Sequence, residues 1–187
     1  MRTNFGAKPY LYPMPVLIIS TYNQNGTANA MNAAWGCIAD TNQISIYVSA
    51  SHKTMENIFS RKAFTVSPAT EKTVKEADFF GVVSGNKLDD KVAQAGLHYF
   101  KSERVDAPII QELPLTLECQ LISYDHETEL LVGEIINVSC CEEILTEGKV
   151  DVAKLGPISF DPINHTYLKI GSFAGNAFSD GLSLKKE

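Results

Sequence analysis

The chain has little that would commit it to a membrane, an oxidising compartment, a metal or a nucleic acid. The aliphatic run near its N-terminus, Val16 to Ile19, is too short for a signal-peptide core or a membrane span, so a cytoplasmic protein is expected. Four cysteines (Cys37, Cys119, Cys140, Cys141) include no CxxC pair, which predicts reduced thiols. The histidines His52, His98, His126 and His165 stand far apart, outside HxH or HExxH spacing, and predict no metal site. No basic run precedes Lys185-Lys186 and the net charge is −6, which argues against a nucleic-acid partner. Net charge does not veto a small local phosphate pocket. GxSxG and GxGxxG are missing, and Gly81-Val82-Val83-Ser84-Gly85-Asn86-Lys87 is one residue short of a P-loop and lacks the lysine directly after Gly85.

What is present reads as one folded domain over residues 1–187, with 44% hydrophobic and 20% charged residues. Val16 to Tyr22 and Thr27 to Met31 read as a hairpin turned at Asn25-Gly26, whose residues supply positive φ. Asn32 to Ala39 reads as a connection or short helical turn before a strand at Gln43 to Ser49. Thr54 reads as the cap of a helix through Met55, Ile58 and Phe59, followed by a strand at Ala63 to Ser67. Helical stretches are expected from Thr70 to Gly81 and from Asp89 to Ala95. Leu115 to Tyr124 and Glu129 to Cys140 form a second, longer hairpin, and His165 to Ile170 a last strand. Six or so strands with short helices favour a mainly β, antiparallel barrel over a doubly wound parallel sheet.

The segment ANAMNAAWGCIAD holds the only tryptophan, Trp35, among small residues that leave room beside it. Ser49-Ala50-Ser51-His52-Lys53-Thr54 combines hydroxyls, a lysine and the free N–H groups of a helix N-terminus, all suited to phosphate. Alone, that stretch reads first as a helix merely capped by Ser51 or Thr54, with Lys53 solvated. The two segments flank one predicted strand, so both lie near one sheet rim. A ligand with an aromatic part and a phosphate, such as flavin mononucleotide (FMN), suits the pair.

PMPVLIIST, NGTANAMNAAW, SASHKTMENI, SGNKLDDK, DAPII, ELPLTLEC and LLVGEIINV, in that order along nearly the whole chain, resemble the flavin reductase-like, FMN-binding split-barrel proteins, and within them the flavoredoxins. The resemblance implies a split β-barrel with Greek-key-like antiparallel topology, a homodimer with flavin near its interface, and redox chemistry at the isoalloxazine ring. Carried over by position, it implies that Asn29, Met31, Asn32, Ala33, Ala34 and Trp35 line the flavin. It implies that Ser49, Ser51, Lys53 and Thr54 hold ribityl or phosphate, and adds Lys91, His126 and Phe160. Lys91 or His126 would place positive charge near the ring's pyrimidine edge.

The expected activity is electron or hydride transfer between NAD(P)H, or a reduced partner, and flavin. Stacking at about 3–3.5 Å is what hydride transfer chiefly requires, so no catalytic residue is assigned. Tyr124-Asp125-His126 lacks the Gly of the Gly-Asp-His-type nicotinamide contact of many flavin reductases. That leaves open an FMN-containing electron carrier that serves a redox protein partner and does not use NAD(P)H. A flavin-free structural barrel is the third reading.

Overall fold

The computed structural model describes residues 1–185. After an extended N-terminal segment and strand β1 (Met14–Pro15), β2 (Leu17–Tyr22) and β3 (Ala28–Ala33) pair antiparallel, as the Asn25-Gly26 turn predicts. Their connection places Gly26 at φ 86°, while Asn25 Oδ1 accepts the Thr27 N–H at 3.1 Å. Asn25 therefore acts through its side chain, as an Asx turn, and only the glycine needs positive φ.

The stretch 32–39, expected as a connection or helical turn, is mostly strand: β3 runs to Ala33, and β4 (Gly36–Asp40) pairs with β5 (Gln43–Tyr47). Alanine, asparagine and glycine carry weak β propensity, and here the ladder to neighbouring strands overrides it. Helix α1 (Lys53–Arg61) follows, with His52 at its N-cap position and no side-chain cap. The expected cap, Thr54, lies inside the helix, and its hydroxyl accepts from Asn29 Nδ2 at 2.9 Å instead. Strand β6 (Ala63–Pro68), α2 (Val74–Val82) and α3 (Lys91–Gln94) lie where expected, α2 entered through a Thr70–Thr73 capping box.

Strands β7 (Tyr99–Lys101) and β8 (Pro108–Ile110) form a small pair, and β9 (Leu115–Asp125) and β10 (Leu130–Cys140) the long hairpin. A short pair, β11 (Leu145–Thr146) and β12 (Lys149–Val150), precedes α4 (Val152–Leu155). The last strands are β13 (Ile158–Asp161) and β14 (Thr166–Lys169), and β13 also pairs with β1. Most strands missed by the sequence reading have two to four residues, too few to show an alternation.

The main sheet has the order β3-β2-β6-β9-β10-β5-β4, every pairing antiparallel. Its two edge strands, β3 and β4, are consecutive in the chain and joined only by Ala34 and Trp35. Three Cα steps span at most about 11 Å. The sheet must therefore curl until its edges nearly meet, which gives a split barrel. Gly36 permits this approach: a Cβ there would lie 2.9 Å from Leu17 Cδ1 and 3.0 Å from the Ser45 carbonyl oxygen.

Inside the curl, Ile19, Ile46, Phe64, Val66, Cys119 and Leu131 pack together, and α1 plugs the space with Met55 and Ile58. Each such buried Ile, Leu or Phe contributes about 1.5–3 kcal/mol of transfer free energy. The opposite face of β2 and β3 is covered too, where Ile18, Ala28 and Ala30 meet Ala77 and Phe80 of α2, Val92 of α3 and Ile158 of β13. Burial on both faces explains why β2 reads as a continuous apolar run. Among the described residues no helix is long and apolar enough to cross a membrane.

Candidate functional site

Two adjoining clefts run along edge strand β3. One, of about 410 Å³, is walled by Met31–Trp35, Tyr47–Ser49, His52, Thr128 and Glu129. The other, of about 220 Å³, lies between Asn29, the start of α1 at His52–Thr54, the Phe80–Gly85 stretch that ends α2, and Lys91. Met31, Asn32 and His52 belong to both, so the two are chambers of one groove. Trp35, 60% exposed, stands at the open rim.

The floor of the smaller chamber carries the site's most telling atom. Asn29 is 1% exposed, and its Nδ2 is bound to Thr54. Among the described residues its Oδ1 is the only buried side-chain polar atom without a hydrogen-bond partner. An orphan of this kind costs about 1–3 kcal/mol unless something donates to it. Gly85 makes the close approach possible, because a Cβ there would fall on Asn29 Oδ1 and 3.1 Å from Lys53 Cβ. Asn86 Nδ2 donates to the Ser51 carbonyl at 3.0 Å and ties this loop across the start of α1.

Anion-binding groups gather at that helix start. Ser49 and Ser51 hydroxyls lie 3.2 Å apart, and α1, nine residues long, opens beside them with no side-chain cap. The Lys53 and Thr54 N–H groups are thus free for an anion, while the Met55 N–H donates to the His52 carbonyl at 2.9 Å. Lys53 Nζ is held by Glu56 at 2.7 Å, in a pair whose carboxylate is 51% exposed. Such a pair contributes little and yields readily to a stronger anion.

Lys91 is tied to the backbone at the end of α2. The residue is 1% exposed, and its Nζ donates to the Phe80 carbonyl at 3.1 Å and the Val83 carbonyl at 2.6 Å. It neutralises the C-terminal end of α2 and pins the loop that closes the smaller chamber. Burial pushes its pKa down to about 8.

Of the residues named from the sequence, Asn29, Met31, Asn32, Ala33, Ala34, Trp35, Ser49, Lys53, Thr54 and Lys91 line the groove, and Ser51 adjoins it. His126 and Phe160 do not line it. His126 sits at the tip of the β9–β10 hairpin, with Tyr124 and Phe59 at ring-centroid distances of 4.9 and 5.8 Å. Phe160 lies on β13 against Tyr167. Thr128 and Glu129 of that hairpin, His52, Tyr47 and the Phe80–Gly85 stretch line the groove without having been named as flavin-binding residues. The failed P-loop stretch held a usable signal: Ser84-Gly85 is a glycine at a close backbone approach, whatever its spacing.

Larger hollows lie elsewhere. Two, of about 460 and 470 Å³, share Arg61, whose guanidinium is already bound to Asp106 and to the Tyr22 and Asn23 carbonyls. Neither holds an unpartnered buried polar atom.

A split barrel with this groove at its closing edge has relatives. Residues 10–155 match the flavin reductase like domain. The chain belongs to that family. It is similar to flavoredoxin of Desulfovibrio vulgaris (Miyazaki F), at 34% identity and a TM-score of 0.92, covering 97% of this chain and all (100%) of that one. It is also similar to flavoredoxin from Methanosarcina acetivorans, at 31% identity and a TM-score of 0.88, over 99% of this chain and 100% of that one. A protein of Aeropyrum pernix is 27% identical over 126 residues, 64% of this chain, and the match spans about half (48%) of that protein's length.

Proposed function

We propose that the protein is an FMN-binding oxidoreductase that passes electrons or hydride between NAD(P)H, or a reduced partner, and flavin. The observation that carries this reading is the unpartnered Asn29 Oδ1, buried beneath a helix N-terminus in a groove that also offers hydroxyls, a lysine and an apolar wall. Its chemistry fits a ligand with a phosphate at one end and hydrogen-bonding groups along its length. FMN, when bound, supplies the redox chemistry.

In this reading Ser49, Ser51, Lys53 and Thr54 hold the phosphate and ribityl chain, and Lys53 exchanges Glu56 for phosphate. Ala33 and Ala34 keep the strand end low enough for a flat ring, and Trp35 forms its outer wall. The Phe80–Gly85 loop, held by Lys91, excludes water from the smaller chamber. A homodimer suits the rim, where Trp35, Ile38 and Tyr47 are 60%, 60% and 53% exposed. A second copy is also what would bring His126 and Phe160 to the flavin. A cytoplasmic location goes with this reading.

A second reading has support of its own: two relatives above 30% identity are flavoredoxins. In it the protein carries FMN and exchanges electrons with a redox protein, without binding NAD(P)H. The visible spectrum during an FMN titration tests the shared part; no flavin bands and no saturable binding would remove both readings. Anaerobic mixing of the holoprotein with NADH and NADPH then separates them. Rapid bleaching is the outcome for a reductase, and none the outcome for a carrier.

A further inference from the structure

Asn32 has its amide orientation dictated from outside the groove. Its Nδ2 donates to the Ala77 carbonyl at 3.0 Å and to the Tyr167 hydroxyl oxygen at 3.5 Å. Both amide hydrogens are thereby used. A backbone carbonyl only accepts, so a flipped amide would set Oδ1 against Ala77 oxygen. The Tyr167 hydroxyl gives its own proton to Asp78 Oδ1 at 2.9 Å, which leaves its oxygen to face Asn32 as an acceptor. Burial first, then the hydrogen bond and charge of Asp78, push the Tyr167 pKa up to about 12, so the phenol remains a neutral donor near pH 7.

Strand β14 thus reaches edge strand β3 through one polar relay. Asn32 lines both chambers, and among the described residues its Oδ1 receives no hydrogen bond. Resting on the flavin reading above, we propose that Tyr167, supported by Asp78, is a positioning residue that holds Asn32 Oδ1 as a fixed acceptor toward the flavin and so favours its reduced form. Uptake of two electrons and two protons by FMN turns two ring nitrogens from acceptors into N–H donors. A fixed acceptor oxygen gains from that change, whereas an amide anchored by the Ala77 carbonyl alone can swing its Oδ1 away from the ring about that one contact.

The test uses the full chain as wild type, Tyr167→Phe, Asp78→Asn, Asn32→Ala and the Tyr167/Asn32 double variant. Each is titrated with oxidised FMN, and its midpoint potential is measured anaerobically against a reference dye with dithionite as reductant. Tyr167→Phe should lose about fivefold more affinity for reduced than for oxidised FMN, the scale of one hydrogen bond. At 29.6 mV per tenfold for two electrons this lowers the potential by about 20 mV. Asp78→Asn keeps an acceptor for the phenol proton and should retain most of the wild-type potential. In the Asn32→Ala background the Tyr167 change should shift nothing further. An unchanged potential in Tyr167→Phe with FMN still bound, or an equal shift without Asn32, overturns the inference alone. A wild type that binds no flavin overturns the flavin reading and this inference with it.

Discussion

Gly81 and Gly85 stand four residues apart, and alanine should have opposite consequences at the two. Gly81 lies in the last turn of α2, where a Cβ would sit 3.5 Å from Asn32 Cβ, an ordinary van der Waals distance. Alanine in place of glycine inside a helix contributes about 0.8–1 kcal/mol. For a chain of this size that raises Tm by about 2–4 °C. At Gly85 the same methyl falls on Asn29 Oδ1. Neither glycine has positive φ, so backbone strain does not enter. Asn29 cannot simply turn away, because it is 1% exposed and bound to Thr54 at 2.9 Å. Either that bond breaks or the loop lifts and loses the bond from Asn86 to Ser51. Overpacking of this kind costs about 1–3 kcal/mol, so Gly85→Ala should lower Tm by roughly 2–12 °C. It should also weaken FMN binding, since the displaced loop closes the smaller chamber. Thermal unfolding of both flavin-free variants, followed by FMN titration, measures the contrast. Wild-type Tm and affinity in Gly85→Ala, or a Gly81→Ala less stable than Gly85→Ala, would refute the steric reasoning.

Two further outcomes follow from the same site. Lys53→Ala removes one charge-assisted phosphate contact of about 1.5–3 kcal/mol, and so should raise the Kd for FMN by about 10- to 150-fold. The flavin-free protein should barely change, because the Lys53–Glu56 pair is partly exposed; an unaltered Kd would remove Lys53 from the site. Burial lowers the Lys91 pKa from 10.5 to about 8, so between these pH values the folded protein binds fewer protons than the unfolded chain. Its contribution to stability therefore rises with pH across that window. From pH 7.5 to 9.5, wild type should gain in urea midpoint relative to Lys91→Met, and a difference that stays constant with pH would contradict the lowered pKa of the buried lysine.

Apolar runs and turn residues placed strands β2 and β6 and the long β9–β10 hairpin, and helical spacing placed α1, because each spans enough residues for a hydrophobic pattern to register. It failed at 32–39, where Ala, Asn and Gly are strand residues only because two neighbours supply the ladder. It also misread Thr54, whose hydroxyl turns to a partner 25 residues earlier and not to its own helix.

The candidate site divides in the same way. Residue types and their order along the chain determined which segments carry phosphate-binding and ring-lining chemistry, since hydroxyls, a lysine and small side chains near a helix start are properties of composition and local spacing. Only the tertiary structure decided what those groups face. It set Gly85 on Asn29 Oδ1, spent the Lys91 ammonium on the carbonyls that end α2, and brought Tyr167 to Asn32 across 135 residues of sequence. Those contacts arise because α2, α3 and the β13–β14 pair pack on the outer face of β2 and β3, which brings to one groove groups that the linear order keeps apart.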